Sequence, residues 1–209
     1  ISPTASSNHS ILEPLGIEES DTYEDLDDPD VLNKVIDKGN AERDEYVEYR
    51  GAKKRYGKLT KLLGKDISRI PDELLEEFYD EDDFKPPKYK HGDRLPKLAL
   101  IIDDAQNSKV FSGKKLPALI VKHRHQFQIP KEHGGGACGL SIFLMCQNFR
   151  SAGGGGLPKS VRGNATGFLL FKNYSEKEKK SVSEELSFTD DTEKFIRTWD
   201  AVCDESPHN

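Results

Sequence analysis

Cysteine, methionine and tryptophan are scarce in this chain: three, one and one in 209 residues. Cys138, Cys146 and Cys203 are an odd number and too few for a disulfide scaffold, which fits a reducing compartment. No apolar run approaches the roughly 20 residues of a membrane span, and the start has no signal-peptide pattern. A secreted or membrane-spanning chain is therefore not expected. The single methionine is Met145 and the chain opens on Ile1, so a fragment or a processed chain is expected. Absent too is G-x-x-x-x-G-K-[ST], the loop that cradles nucleotide phosphates. The net charge of −6 excludes a uniformly basic nucleic-acid surface while leaving room for a local basic patch.

Charged residues (33%) nearly equal hydrophobic ones (34%), so a core forms only where the apolar residues cluster, in 98–150 and 157–203. The most informative stretch is Leu98-Ala-Leu-Ile-Ile-Asp103-Asp104. A continuous apolar run fits a strand buried on both faces. Acids at the C-terminal end of such a strand stand where open α/β sheets bind ligands. Two together suit a Mg²⁺–phosphate site.

Before that strand the chain is charged. Residues 1–17 begin as if leaving a strand. Residues 18–30 hold eight acids and read as a solvated segment. Pro29-Asp30 can open a helix carrying Val31, Leu32, Val35 and Ile36. Residues 41–63 continue helical, although Gly51 and Gly57 weaken the pattern. Lys53, Lys54, Arg55, Lys58, Lys61 and Lys65 read as a solvated helix face, with DNA contact as the alternative. Ser68-x-x-Pro71 can begin a further helix. Residues 18–92 are thus a charged, mostly helical insertion. From 93 to 209 an α/β rhythm follows. Helix is expected at 114–122, strand at 140–146 and a helical turn at 158–162. Another strand is expected at 167–171 and helices at 175–186 and 190–203. Thr189 can cap the last helix, whose apolar face is Phe195, Ile196, Trp199 and Val202. Strands alternating with helices imply a mostly parallel sheet.

Four polar features recur in order: Asp103-Asp104, Arg124-His125, Gln147 and Arg162-x-Asn164. With Lys-His-Arg-His, Ser-Ile-Phe-Leu-Met-Cys-Gln-Asn-Phe and Leu-Pro-Lys-Ser-Val-Arg-Gly-Asn-Ala-Thr, this order resembles the DNA-packaging ATPases of poxviruses and other large DNA viruses. These belong to the FtsK–HerA class of P-loop NTPases. Ile1-Ser-Pro-Thr resembles the family's second strand, so the resemblance covers roughly 1–10 and 95–203. It implies an α/β fold: an incomplete RecA/FtsK-like parallel sheet, lacking the Walker A strand, with a charged helical insertion. It implies ATP and Mg²⁺ in the complete protein, with Asp103 holding Mg²⁺ through water and Asp104 polarising the attacking water. Gln147 would sense the γ-phosphate. Arg162 would be an arginine finger for a neighbouring subunit, supported by Asn164.

The same resemblance implies double-stranded DNA, a ring homo-oligomer and a viral capsid as partners, in host cytoplasm, virus factory or virion. Because a P-loop fold puts its Walker A strand mid-sheet, strands 140–146 and 167–171 would flank a gap with open apolar edges. The chain alone would then fold poorly and hydrolyse no ATP. The alternatives are another FtsK–HerA-type DNA translocase and a non-catalytic NTPase-like scaffold or binding module. For single residues the plainer readings are a strand-ending Asp pair, a loop amide at Gln147 and a surface arginine at Arg162. Arg124 and His125 can simply be cations at a helix C-terminus. His123, His125, His133 and Cys138 fit no standard zinc spacing. The glycine runs at 134–136 and 153–156 read as loops; after the second, Pro158 stands where a phosphate loop needs its last glycine.

Overall fold

A computed structural model describes residues 1–64, 85–150, 156–173, 175–186 and 191–205. The expected helix from Ser68, Lys65, the Thr189 cap and Gly153–Gly155 lie outside them.

The elements follow in order: α1 (His9–Leu12), α2 (Val31–Leu63), β1 (Ala99–Asp103), α3 (Lys109–Ser112), α4 (Lys115–Lys122), β2 (Ser141–Met145), α5 (Lys159–Arg162), α6 (Glu176–Leu186) and α7 (Thr192–Glu205). The fold is thus mixed helix and sheet. β1 and β2 pair in parallel. The ladder starts where Ser141 N donates to Leu98 O at 2.9 Å. On the opposite edge of β1, Ile1 N donates to Ile101 O (2.8 Å) and Asp103 N to Ile1 O (2.9 Å). That exchange, one residue bonded to two alternate residues of its neighbour, is a parallel bridge. Ile1 therefore lies alongside β1 on the edge away from β2.

Two corrections follow. β1 is not buried on both faces: Leu100 and Ile102 are buried, while Ala99 and Ile101 face outward. Phe143 and Met145 of β2 are also exposed, at 56% and 49%. The apolar run reported burial correctly for one face only. Segment 167–171 forms no strand among the described residues. Leu169 and Phe171 are 87% and 77% exposed. Its composition favours a strand, but a strand forms only where a neighbour completes its hydrogen bonds.

The chain forms two compact units. The first contains residues 1–32, 101–121 and 143–209. One cluster of its core is Phe149, Val182 and Trp199, with Leu157, Leu170, Leu186, Phe195 and Cys203 packed around them. Trp199 Nε1 donates to Phe171 O (3.1 Å), which satisfies the buried indole. Val202, expected on the apolar face of α7, is 61% exposed; Cys203 packs inward in its place. Ser175 caps α6 by accepting from Glu178 N, and Asp191 caps α7 by accepting from Lys194 N (2.9 Å). Lys179, though buried, is paired with Asp200 (2.7 Å) and Glu176 (3.0 Å).

The second unit contains 33–100 and 122–142. Here α2 runs unbroken through Gly51 and Gly57. Contacts along its inner side outweigh their low helix propensity of about 1 kcal/mol each. Tyr89 stacks on Tyr49 (centroids 5.3 Å apart) and meets Tyr46 edge-on. Lys90 pairs with Glu42 and Glu45, and Asp93 pairs with Lys53. A hairpin closes at the Gln128–Ala137 bridge, where Gly134, Gly135 and Gly136 all take positive φ. That run is a turn.

Candidate active site

Parallel pairing brings the ends of β1 and β2 to one edge, and the polar residues that follow each strand meet there. β1 ends on Asp103, and Asp104 turns the chain through φ +49. Asp is among the few side chains that tolerate this left-handed conformation. Gln147 Nε2 donates to Asp104 Oδ1 at 3.0 Å. The strand ends thus join two of the four polar features singled out from the sequence. Asp104 keeps its second carboxylate oxygen available to accept a proton from water. Asp103 is held differently: Ser2 Oγ donates to its Oδ2 at 3.3 Å.

Gln106 was not anticipated, and it organises the loop. It is 7% exposed. Its Oε1 accepts from Gln147 N (3.0 Å) and Asn148 N (3.2 Å), while its Nε2 donates to Asn148 O (2.6 Å). One buried amide therefore closes three backbone groups of the β2 exit loop onto the β1 exit loop. Its sequence signal is slight: a lone amide three residues after the strand. Ser108, also buried, turns its Oγ onto Ala105 O (2.6 Å). Leu26 and Asp27, from the acidic segment, join Asp104, Gln106, Gln147 and Asn148 in lining a polar pocket over these strand ends. That segment, expected as merely solvated, is tied down: Tyr23 O accepts from Ser2 N (3.0 Å).

The electrostatics reflect the two acids. Burial, reinforced by the charges of Asp103 and Asp104, pushes the Cys146 thiol up to about 11. Cys146 is therefore a neutral thiol at physiological pH and no nucleophile.

Arg162 has a different setting. Its Nε pairs with Glu185 (2.8 Å), its Nη1 donates to Leu157 O, and its guanidinium lies 5.2 Å from the centre of the Phe149 ring. The side chain is only 11% exposed. Arg150 Nε also donates to Glu185 (2.9 Å), and both arginines hold that carboxyl below its usual range, Arg162 the more strongly. Asn164 Nδ2 donates to Ser160 O (2.7 Å), at the end of α5. Arg124 and His125 lie exposed in a short 3₁₀ turn just after α4, in the second unit.

The donor set can be tested for Mg²⁺. No group of three or more His, Cys, Asp and Glu side chains able to hold a metal is formed among the described residues. Mg²⁺ in phosphoryl-transfer sites commonly uses one or two carboxylates and takes the rest of its shell from water and phosphate. Asp103 and Asp104 fit that smaller requirement. The phosphate-binding backbone has no counterpart in this sequence. The arrangement can orient a water and a hydrated cation; it holds no cradle for a nucleotide.

No family model matches the chain, and comparison with curated proteins and with solved structures gives no match.

Proposed function

We propose that this chain carries the metal- and water-orienting part of a P-loop ATPase site, in a DNA-packaging motor of the FtsK–HerA class. The observation that carries the reading is the Gln147–Asp104 hydrogen bond, formed at the shared C-terminal edge of two adjacent parallel strands. In a phosphoryl-transfer site that edge is where water, cation and γ-phosphate converge. Mg²⁺, when bound, would neutralise charge developing on the phosphate oxygens. Asp103 would hold it through water, its carboxylate oriented by Ser2. Asp104 would accept a proton from the attacking water through the oxygen that Gln147 leaves free. Gln147 would sense the γ-phosphate by exchanging its acid partner for a phosphate oxygen. Arg162 would serve a neighbouring subunit's site by leaving Glu185, and Arg150 would keep that carboxylate paired when it did. Double-stranded DNA, a ring of identical subunits and a capsid are the partners of this reading.

The test is the coding DNA upstream of the Ile1 codon, followed by ATPase assay of the complete product. A strand leading into G-x-x-x-x-G-K-[ST], with Mg²⁺-dependent hydrolysis reduced at least about tenfold by Asp104→Asn, is the expected result. A start codon with no such motif, or hydrolysis indifferent to Asp104, would overturn the reading and favour a non-catalytic binding module.

A further inference from the structure

We propose that the C-terminal half of α2 is a docking surface for the phosphate backbone of double-stranded nucleic acid. The inference needs neither nucleotide nor ring assembly, so its failure would leave the ATPase reading standing.

The charge of α2 is segregated. From Val31 to Glu48 acids outnumber bases, five to three. From Tyr49 to Leu63 there are six cations and no carboxylate. At 100° per residue, Arg50, Lys54, Lys58 and Lys61 fall on one stripe, rising about 16 Å along the axis. Lys54, Lys58 and Lys61 are all exposed. The opposite face is occupied. Leu59 is buried, Tyr49 stacks on Tyr89, and Lys53, on the flank, is engaged by Asp93. The stripe thus belongs to the outward side of a helix whose inner side is pinned.

Ordinary solvation accounts poorly for this pattern. A solvated helix usually alternates signs so that i,i+4 pairs attract. Here the described neighbours of Lys54, Lys58 and Lys61 at three and four residues are Arg50, Gly51, Arg55, Gly57, Leu62 and Gly64, together with one another. None is acidic, and the Arg50–Lys54 and Lys54–Lys58 spacings are repulsive i,i+4 pairs. The helix dipole favours cations only in the last turn, which covers Lys61 and neither Lys54 nor Lys58. A fixed row of like charges is relieved by a polyanion.

The kind of polyanion follows from what the stripe lacks. Single strands are held by aromatic platforms, and both tyrosines of this half-helix, Tyr49 and Tyr56, lie on the other face. Stable binding of a helix to an anionic membrane draws on an apolar face as well as on cations, and the stripe presents none. A rigid duplex, with one phosphate per 1.7 Å of axis, needs only cations at rigid intervals.

The experiment is fluorescence anisotropy of a labelled duplex of about 30 base pairs against the 209-residue chain, across a salt series. We expect binding despite the chain's net negative charge, with affinity falling steeply as salt rises. K54Q/K58Q/K61Q should flatten the log–log salt slope by about 2–3, close to 0.9 per lost contact. The charge-matched K114Q/K122Q/K180Q should keep the wild-type slope. Should the first triple variant fail to fold by circular dichroism, K58Q alone should lower the slope by about 0.9. No duplex binding, equal loss in both triple variants, or tighter binding to single strands or to phosphatidylserine vesicles would overturn the proposal.

Discussion

Gln147 and Asp104, 43 residues apart in the chain, are joined by a 3.0 Å hydrogen bond because their strands are parallel neighbours ending at the same edge. Neither side chain sets that distance alone. The loop carrying Gln147 is fixed by the buried amide of Gln106, which bonds Gln147 N, Asn148 N and Asn148 O.

Replacing Gln106 with leucine keeps its bulk and deletes all three bonds. Three part-buried backbone groups then lose their partner, at up to about 1–3 kcal/mol for each that water cannot reach. Gln106→Leu should lower the urea midpoint and remove amide exchange protection at Gln147 and Asn148. Unchanged protection at both would show that the loop is held by something else.

The polar order of the sequence located this edge without its detail. Asp103-Asp104 and Gln147 were legible because each directly follows an apolar run, and the ends of parallel strands converge. Gln106 was illegible because its role depends on backbone groups 41 and 42 residues away. The 167–171 segment misled because Phe-Leu-Leu-Phe has strand composition, whereas a ladder needs a neighbour. α2 was legible except at its glycines, whose cost is offset by contacts that periodicity does not record. The sequence could not show that Glu185 and Phe149 hold Arg162.

Cys146 offers a probe of the two acids. Its thiol stands near 11 chiefly because it is buried and secondarily because Asp103 and Asp104 oppose a third negative charge. In a C138S/C203S background, iodoacetamide should react slowly at pH 8 and faster toward pH 11. Asp104→Asn should shift that profile to lower pH. A profile centred near the ordinary thiol value, or one unmoved by Asp104→Asn, would contradict the placement.

Glu185 links stability to pH. Its folded pKa is lowered from 4.5, first by the Arg162 hydrogen bond and then by Arg150. A depressed carboxylate contributes stability that is fully present above the unfolded value and lost as pH falls through the folded one. The urea midpoint of the wild type should therefore fall below about pH 4.5, and Glu185→Gln should remove part of that slope. Arg162→Ala should cost about 1.5–3 kcal/mol at pH 7, since it deletes charge-assisted hydrogen bonds and leaves Phe149 uncovered. An identical acid slope in wild type and Glu185→Gln would refute the linkage.

Two glycines of α2 should respond to the same substitution with opposite signs. Alanine is favoured over glycine in a helix interior by about 1 kcal/mol. At Gly57 a Cβ would meet nothing within 4 Å, so Gly57→Ala should gain most of that amount. At Gly39 the Cβ would fall 2.2 Å from the ring of Phe127. Phe127 is buried and sits at φ +58, so its ring cannot swing aside freely. Overpacking costs about 1–3 kcal/mol and outweighs the helix gain, so Gly39→Ala should be destabilising. Adding Phe127→Leu should recover part of the loss, because a shorter side chain makes room for the new methyl group. Denaturant midpoints of the three variants decide the matter, and a stabilising Gly39→Ala would mean that Phe127 does not pack on the helix at Gly39.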